Sequence, residues 1–223
     1  CEASVPTLID SPHPGLLYDY FGFPKETYAL SYPLKTALPL LERIKTLFLN
    51  QEVNFETSSD RGFDHGVFIP LMLMFQEGDI PVVQLSLLKS LNPTDHIELG
   101  KALEALMEEP ILIIGSGFSF HNLRAFQMNE VATPDHMNDA FHDKLIQIMC
   151  SDIPESVRTE QLIHWDKMPH ARYCHPREEH LLPLHVVYGI LGEKAEVIFD
   201  DYIAGKRSVM FYWGCGNLSS NLY

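Results

Sequence analysis

The chain has 223 residues, enough to bury the core of one domain, and it interleaves short apolar runs with amphipathic stretches. Its 30 acidic residues outnumber 16 basic ones and no basic stripe occurs, which argues against a nucleic acid as partner. No apolar run approaches the roughly 20 residues that cross a bilayer and no signal-peptide pattern is present, so no membrane partner is expected. Four widely spaced cysteines, Cys1, Cys150, Cys174 and Cys215, form no C-x-x-C pair, so the expected compartment is the cytoplasm.

In chain order, Val5 to Ile9 reads as a strand stopped by the turn cluster Ser11-Pro12-His13-Pro14-Gly15. Leu16 to Pro33 carries Tyr18, Tyr20, Phe21, Phe23, Tyr28 and Tyr32 in an irregular segment. That density fits a loop lining a pocket for a planar ligand, and equally a core of aromatics beneath a loop. Leu38 to Leu49 has Leu40, Leu41, Ile44, Leu47 and Phe48 at helical spacing. The polar loop Asp60 to Gly66 follows and leads into a helix over Val67 to Phe75. Asp64 precedes His65 and cannot easily orient that ring, so it is expected to hold the loop while His65 faces a site.

Val82 to Leu87 reads as a buried strand interrupted by Gln84 and Ser86. Asn92-Pro93-Thr94-Asp95 supplies turn and N-cap chemistry, and Ile97 to Glu108 places Leu99, Ala102, Leu103 and Leu106 on one helical face, with His96 expected at the surface. Ile111 to Ile114 is an unbroken apolar run, expected to be a central strand covered on both faces and a parallel neighbour of the first through a crossover. Gly115 and Gly117 bracket Ser116 where that strand ends, and the carboxyl ends of strands are where ligands sit in open α/β sheets. His121 is therefore a site candidate, or else a helix cap. G-S-G lacks the G-x-S-x-G elbow, which sets aside a nucleophilic Ser116.

The region Gln127 to Asp139 is polar, a helix is expected from Asn138 through Ile148 with Pro154 marking its stop, and another from Arg158 to Trp165. In the last dense stretch Pro176 can start a helix with Glu178 and Glu179 at its positive end. His180 and His185 would then lie about 140 degrees apart and could not share one site. His180 follows a Glu-Glu pair, and imidazoles suit Fe, Zn, Cu and Ni. With no repeat or linker, the expected architecture is a single α/β domain over residues 1–223, a central mostly parallel or mixed β-sheet flanked by helices.

Six segments carry a resemblance: Tyr18 to Pro24, Arg61 to Gly66, Asp79 to Ser86, Ile113 to Gly117, His121 to Arg124 and His175 to Leu184. Together, in this order, they resemble the class III extradiol ring-cleaving dioxygenases, in the branch containing DOPA 4,5-dioxygenases. The resemblance implies an Fe(II) enzyme that opens a catechol ring with O2, with Zn(II) possible in a purified form. It implies that His180 is a metal ligand, that His121 is either a further ligand or the acid-base group, and that His65 is a second acid-base group. The family carries two more metal-binding histidines, in an H-G-[SG]-P-like turn and an S-A-H-W-like strand end, which these residues do not contain. Residue 1 is cysteine and not methionine, so the expectation is either that an N-terminal segment has been removed or omitted or that this is a shortened family member; in these residues alone the iron would be held weakly and a sheet edge or core face left uncovered. A zinc hydrolase using the same histidines, and a binding protein that has lost catalysis, are the alternatives.

Overall fold

The structure, a computed structural model, describes residues 1–126 and 134–214. The stretch from Gln127 to Thr133 and Cys215 lie outside the described residues. Strands are short and come in pairs. β1 (Glu2–Ala3), β2 (Thr7–Ile9) and β3 (Leu16–Leu17) precede α1 (Leu38–Asn50), which buries Leu41, Ile44, Leu47 and Phe48 at the expected spacing. β4 (Glu56–Ser58) and β5 (Phe63–Asp64) lead directly into α2 (His65–Met74). β6 (Leu87–Leu88) is followed by α3 (Pro93–Lys101), whose first turn is capped by the Asn92 side chain accepting from Thr94 N–H at 2.9 Å. Then come α4 (His136–Cys150), α5 (Glu155–Ile163), α6 (Ala171–Cys174) and α7 (Leu182–Leu191), and last the hairpin β7 (Glu196–Ile203) and β8 (Lys206–Tyr212).

β1 pairs with β6, β2 with β4 and β3 with β5, all parallel, while β7 and β8 are antiparallel. The α/β class is as expected. Three apolar clusters hold the elements together. Phe141, Leu145, Leu162 and Tyr188 join α4, α5 and α7; Leu41, Phe48, Leu99 and Ile190 join α1, α3 and α7; Ile9, Tyr32, Phe63 and Phe68 pack α2 on β2 and β5. Burying side chains of this size stabilises by roughly 2 kcal/mol each before the entropy of ordering is subtracted. Among the described residues no helix is long and apolar enough to cross a membrane.

Several expectations are corrected. Residues 111–114 belong to no strand: Ile111 and Ile113 pack on the second cluster, but Leu112 is 66% and Ile114 43% exposed, so only one face is covered. Residues 82–86 make isolated bridges, Val82 with Thr36 and Leu85 with Leu8, and the two runs do not pair with each other. Gln84 and Ser86 are the buried positions there, because each is hydrogen-bonded, Gln84 to Asp64 and Ser86 to Thr7 N–H. The helix over Ile97 to Glu108 is instead α3 and a 3-10 turn at Glu104–Glu108. His96 is fully buried, since Nδ1 donates to Asn92 O at 2.7 Å and Nε2 accepts from Leu88 N–H at 3.1 Å. The last helix starts at Leu182 with Pro183 in its first turn, so His180 precedes it.

The hairpin is fastened across the domain. The Lys206 ammonium is buried against the Asp135 carboxylate and sits 5.5 Å over the Phe120 ring, while the Tyr173 hydroxyl donates to the same carboxylate at 2.6 Å. Val209 N–H donates to Ser119 Oγ at 2.9 Å. Both anchors reach the segment that ends at His121.

Candidate metal and acid-base site

Three loops converge. The register of β3 with β5, Leu17 opposite Asp64, carries the residues after each strand side by side. Asp64 is held by Gln84, whose Nε2 donates to Oδ2 at 2.6 Å and whose Oε1 receives the Asp64 N–H at 3.3 Å. It thus secures the loop and leaves the ring of His65 to another partner, Asp19 Oδ1 at 2.6 Å from Nδ1. Residues 117–121 are strapped to the segment before α7: Phe118 N–H donates to His180 O at 3.0 Å and His121 N–H to Cys174 O at 2.9 Å. A Cβ on Gly117 would fall 2.3 Å from His180 O, so only glycine allows this approach.

The strapping brings the His121 and His180 rings into a stack, centroids 3.4 Å apart and planes 14° apart. Glu179 Oε1 lies 3.2 Å from His121 Nδ1, and Glu179 Oε2 lies 3.4 Å from Arg177 Nη1. Arg177 in turn forks the Glu2 carboxylate with two bonds of 2.6 Å. Among the described residues neither nitrogen of His180 has a hydrogen-bond partner although both are buried, and Glu179 Oε2 has no hydrogen bond beyond its ion pair with Arg177. Burial, aided by the charge of His121, pushes His180 down to about 3, so its imidazole is neutral, the form a metal ion requires. His121 is also lowered, by burial against the opposing pull of Glu179. The charge of His65 contributes to both shifts, which puts the three histidines in one electrostatic neighbourhood.

One ligand atom from each of His121, Glu179 and His180 lies within 4.8 Å of the others. Buried imidazole nitrogens without partners beside a carboxylate are what a divalent transition ion satisfies, so the donor types fit one. Ring lone pairs lie in the ring plane, and two nearly parallel planes 3.4 Å apart share no point at bonding distance. One ring must tilt for both to bind the same ion.

The structure therefore stacks two of the histidines singled out in the sequence, His121 and His180, sets His65 within reach of their charge, and adds two carboxylates. Glu179 stood beside His180 in the E-E-H run; Asp19 lies inside the aromatic segment, 46 positions from its partner, and no local pattern pointed to it. The aromatic series divides between its two readings. Tyr18 and Tyr20 both pack on Phe68 in the core cluster that holds Tyr32, Tyr20 also meets the His65 ring edge-on at 5.9 Å, and Phe21 and Phe23 are exposed.

Comparison with known proteins gives the same family as the residues. Residues 5–212 match the family described as the catalytic LigB subunit of aromatic ring-opening dioxygenase. The dioxygenase tasH of Hapsidospora irregularis is 35% identical over 223 residues, covering 96% of this chain and 68% of that protein. The 4,5-DOPA dioxygenase extradiol of Beta vulgaris is 36% identical over 200 residues, covering 88% of this chain and 72% of that protein. The crystal structure of the uncharacterized protein JW3007 from Escherichia coli K12 superposes with a TM-score of 0.74 at 25% identity, covering 92% of this chain and 78% of that one. The stacked histidines thus sit in a chain that belongs to the class III extradiol, LigB-type ring-opening dioxygenases, in the branch of the DOPA dioxygenases.

Proposed function

We propose that this chain is a non-haem Fe(II) extradiol dioxygenase that opens the ring of a DOPA-like catechol with O2. The observation that carries the reading is the pair of unsatisfied His180 nitrogens, buried beside His121 and Glu179 in a chain of this family. His180 and the Glu179 carboxylate would hold the ion. When bound, it supplies the Lewis acidity and the electron transfer that ring opening with O2 needs. Zn(II) suits the same donors and would occupy the site in protein purified without iron.

The chain's own groups do the rest. With Nδ1 turned to Glu179, His121 presents Nε2, which takes a proton from a catechol hydroxyl and later returns it to an oxygen derived from O2 that stays in the product. His65, the first residue of α2, is the second proton-transfer group, reaching the substrate from the side on which Tyr20 stands. Tyr20 offers a ring face to a planar substrate. Close packing of residues 117–121 on the His180 segment keeps water from the buried donors, which strengthens each charge interaction there.

The test is anaerobic Fe(II) loading, followed by O2 uptake and the rise of a yellow ring-opened product from DOPA and simple catechols. Equimolar loss of O2 and catechol is expected. Iron retention without O2 uptake from any catechol would replace this reading with a binding role. Hydrolysis with Zn(II) bound would replace it with a zinc hydrolase.

A further inference from the structure

We propose that Asp19 is the positioning residue of His65, fixing the ring with its Nδ1 proton turned inward and its Nε2 presented to the substrate; this rests on the acid-base reading of His65. Two donors from one residue converge on a single oxygen: Asp19 Oδ1 accepts the His65 backbone N–H at 3.1 Å and the ring Nδ1 at 2.6 Å. The backbone bond has a structural purpose. His65 is the first residue of α2, and the cap position before it is Asp64, whose side chain makes no capping bond because Gln84 occupies it. Asp19, two residues beyond the end of β3, satisfies the first amide of the helix, at a place set by the parallel register Leu17 to Asp64.

A cap, however, has no use for the ring, and the ring bond is the shorter of the two. A carboxylate accepts and cannot donate, so Nδ1 carries the proton and Nε2 of the neutral ring is left bare. With backbone and ring both tied to one oxygen, rotation about the side-chain bonds of His65 is blocked. The Tyr20 ring closes the remaining side at 86°. The hydrogen bond to His65 holds the Asp19 carboxyl below its ordinary range although burial opposes it, which keeps the acceptor ionised. His65 remains about half exposed, so Nε2 is reachable.

Nitrogen-15 NMR of the His65 ring reads the tautomer in the wild-type chain without metal, substrate or mutation. The Nδ1–H form is expected in neutral solution; an Nε2–H ring overturns the proposal. Asp19→Ala should return the ring to the Nε2–H form that free imidazole prefers. It should also lower kcat about tenfold to a hundredfold with KM held within about twofold. Asp19→Asn retains an accepting oxygen and the helix cap, so it should keep the tautomer, fold normally and lose less activity, which separates positioning from stability. If His65→Ala slows turnover and Asp19→Ala does not, the positioning role is wrong. If His65→Ala leaves turnover normal, the acid-base reading falls and the role of Asp19 falls with it.

Discussion

Two groups of histidines in this molecule invite comparison, and burial alone does not tell them apart. In the interior around α4 and α7, His142 donates Nδ1–H to Asn138 O at 3.0 Å and accepts from the Ser119 hydroxyl at Nε2, 2.9 Å away. His185 donates Nε2–H to Leu162 O at 3.0 Å, and His175 donates Nε2–H to Ser119 O at 2.8 Å, leaving one nitrogen bare. At the site, His180 is buried with both nitrogens bare. An interior polar atom without a partner is destabilising by roughly 1–3 kcal/mol, so a side chain that leaves two of them open is arranged for something that binds there. The discriminating feature is what the nitrogens meet, and not how deep they lie.

The largest effect should come from His180→Ala, which removes the most open donor. Metal retention, read by elemental analysis after dialysis, should fall by more than about a hundredfold while the fold survives. Retention unchanged would erase the distinction between the two regions. The interior set should answer to acid instead. His142 and His185 are both pushed down to about 4, chiefly by burial, from an ordinary value of 6.5. An unfolded chain takes up those protons near pH 6.5 and the folded one does not until about pH 4, so the unfolded state binds more protons in that interval. Stability should be full above pH 6.5 and decline as pH falls toward 4, by on the order of 3 kcal/mol per ring; urea titrations across this range measure it.

A smaller and more local effect is expected from His65→Ala, which should leave metal bound and slow turnover by about a hundredfold; normal turnover would remove His65 from the proton-transfer groups. Replacing Tyr20 with Leu should be the mildest change, altering the ratio of kcat/KM between DOPA and simple catechol several-fold and melting temperature little. A shift in melting temperature alone would return Tyr20 to the aromatic core.

Periodicity made the helices legible. α1 stands almost where its leucines place it, and Asn92 caps α3 as its position implied. The apolar runs misled because a short run specifies an extended chain without specifying its neighbours. Residues 111–114 are extended yet unpaired, and residues 82–86 turn their polar side chains inward where Asp64 and Thr7 wait for them. His65, His121 and His180 were visible by resemblance, whereas the carboxylates that hold two of them were not. Asp19 meets His65 only through strand register, and the approach of Glu179 to His121 requires that His180 sit ahead of α7. The closing hairpin turns through Ala204 and Gly205, both at positive φ, the two-residue turn that a tight hairpin needs.

The ties between the hairpin and residues 119–121 have a consequence for how the molecule opens. Val209 N–H, Ser119 and His142 form one chain of donors and acceptors, and the buried Lys206 lies over Phe120, next to His121. Detaching β8 would strand a buried cation and break that chain in the same event, so the strand and the site segment should open as a single cooperative unit. The amides of His121 and Val209, 88 positions apart in the sequence, should then exchange with solvent deuterium at a common opening free energy, well above that of the exposed Leu112 and Ile114.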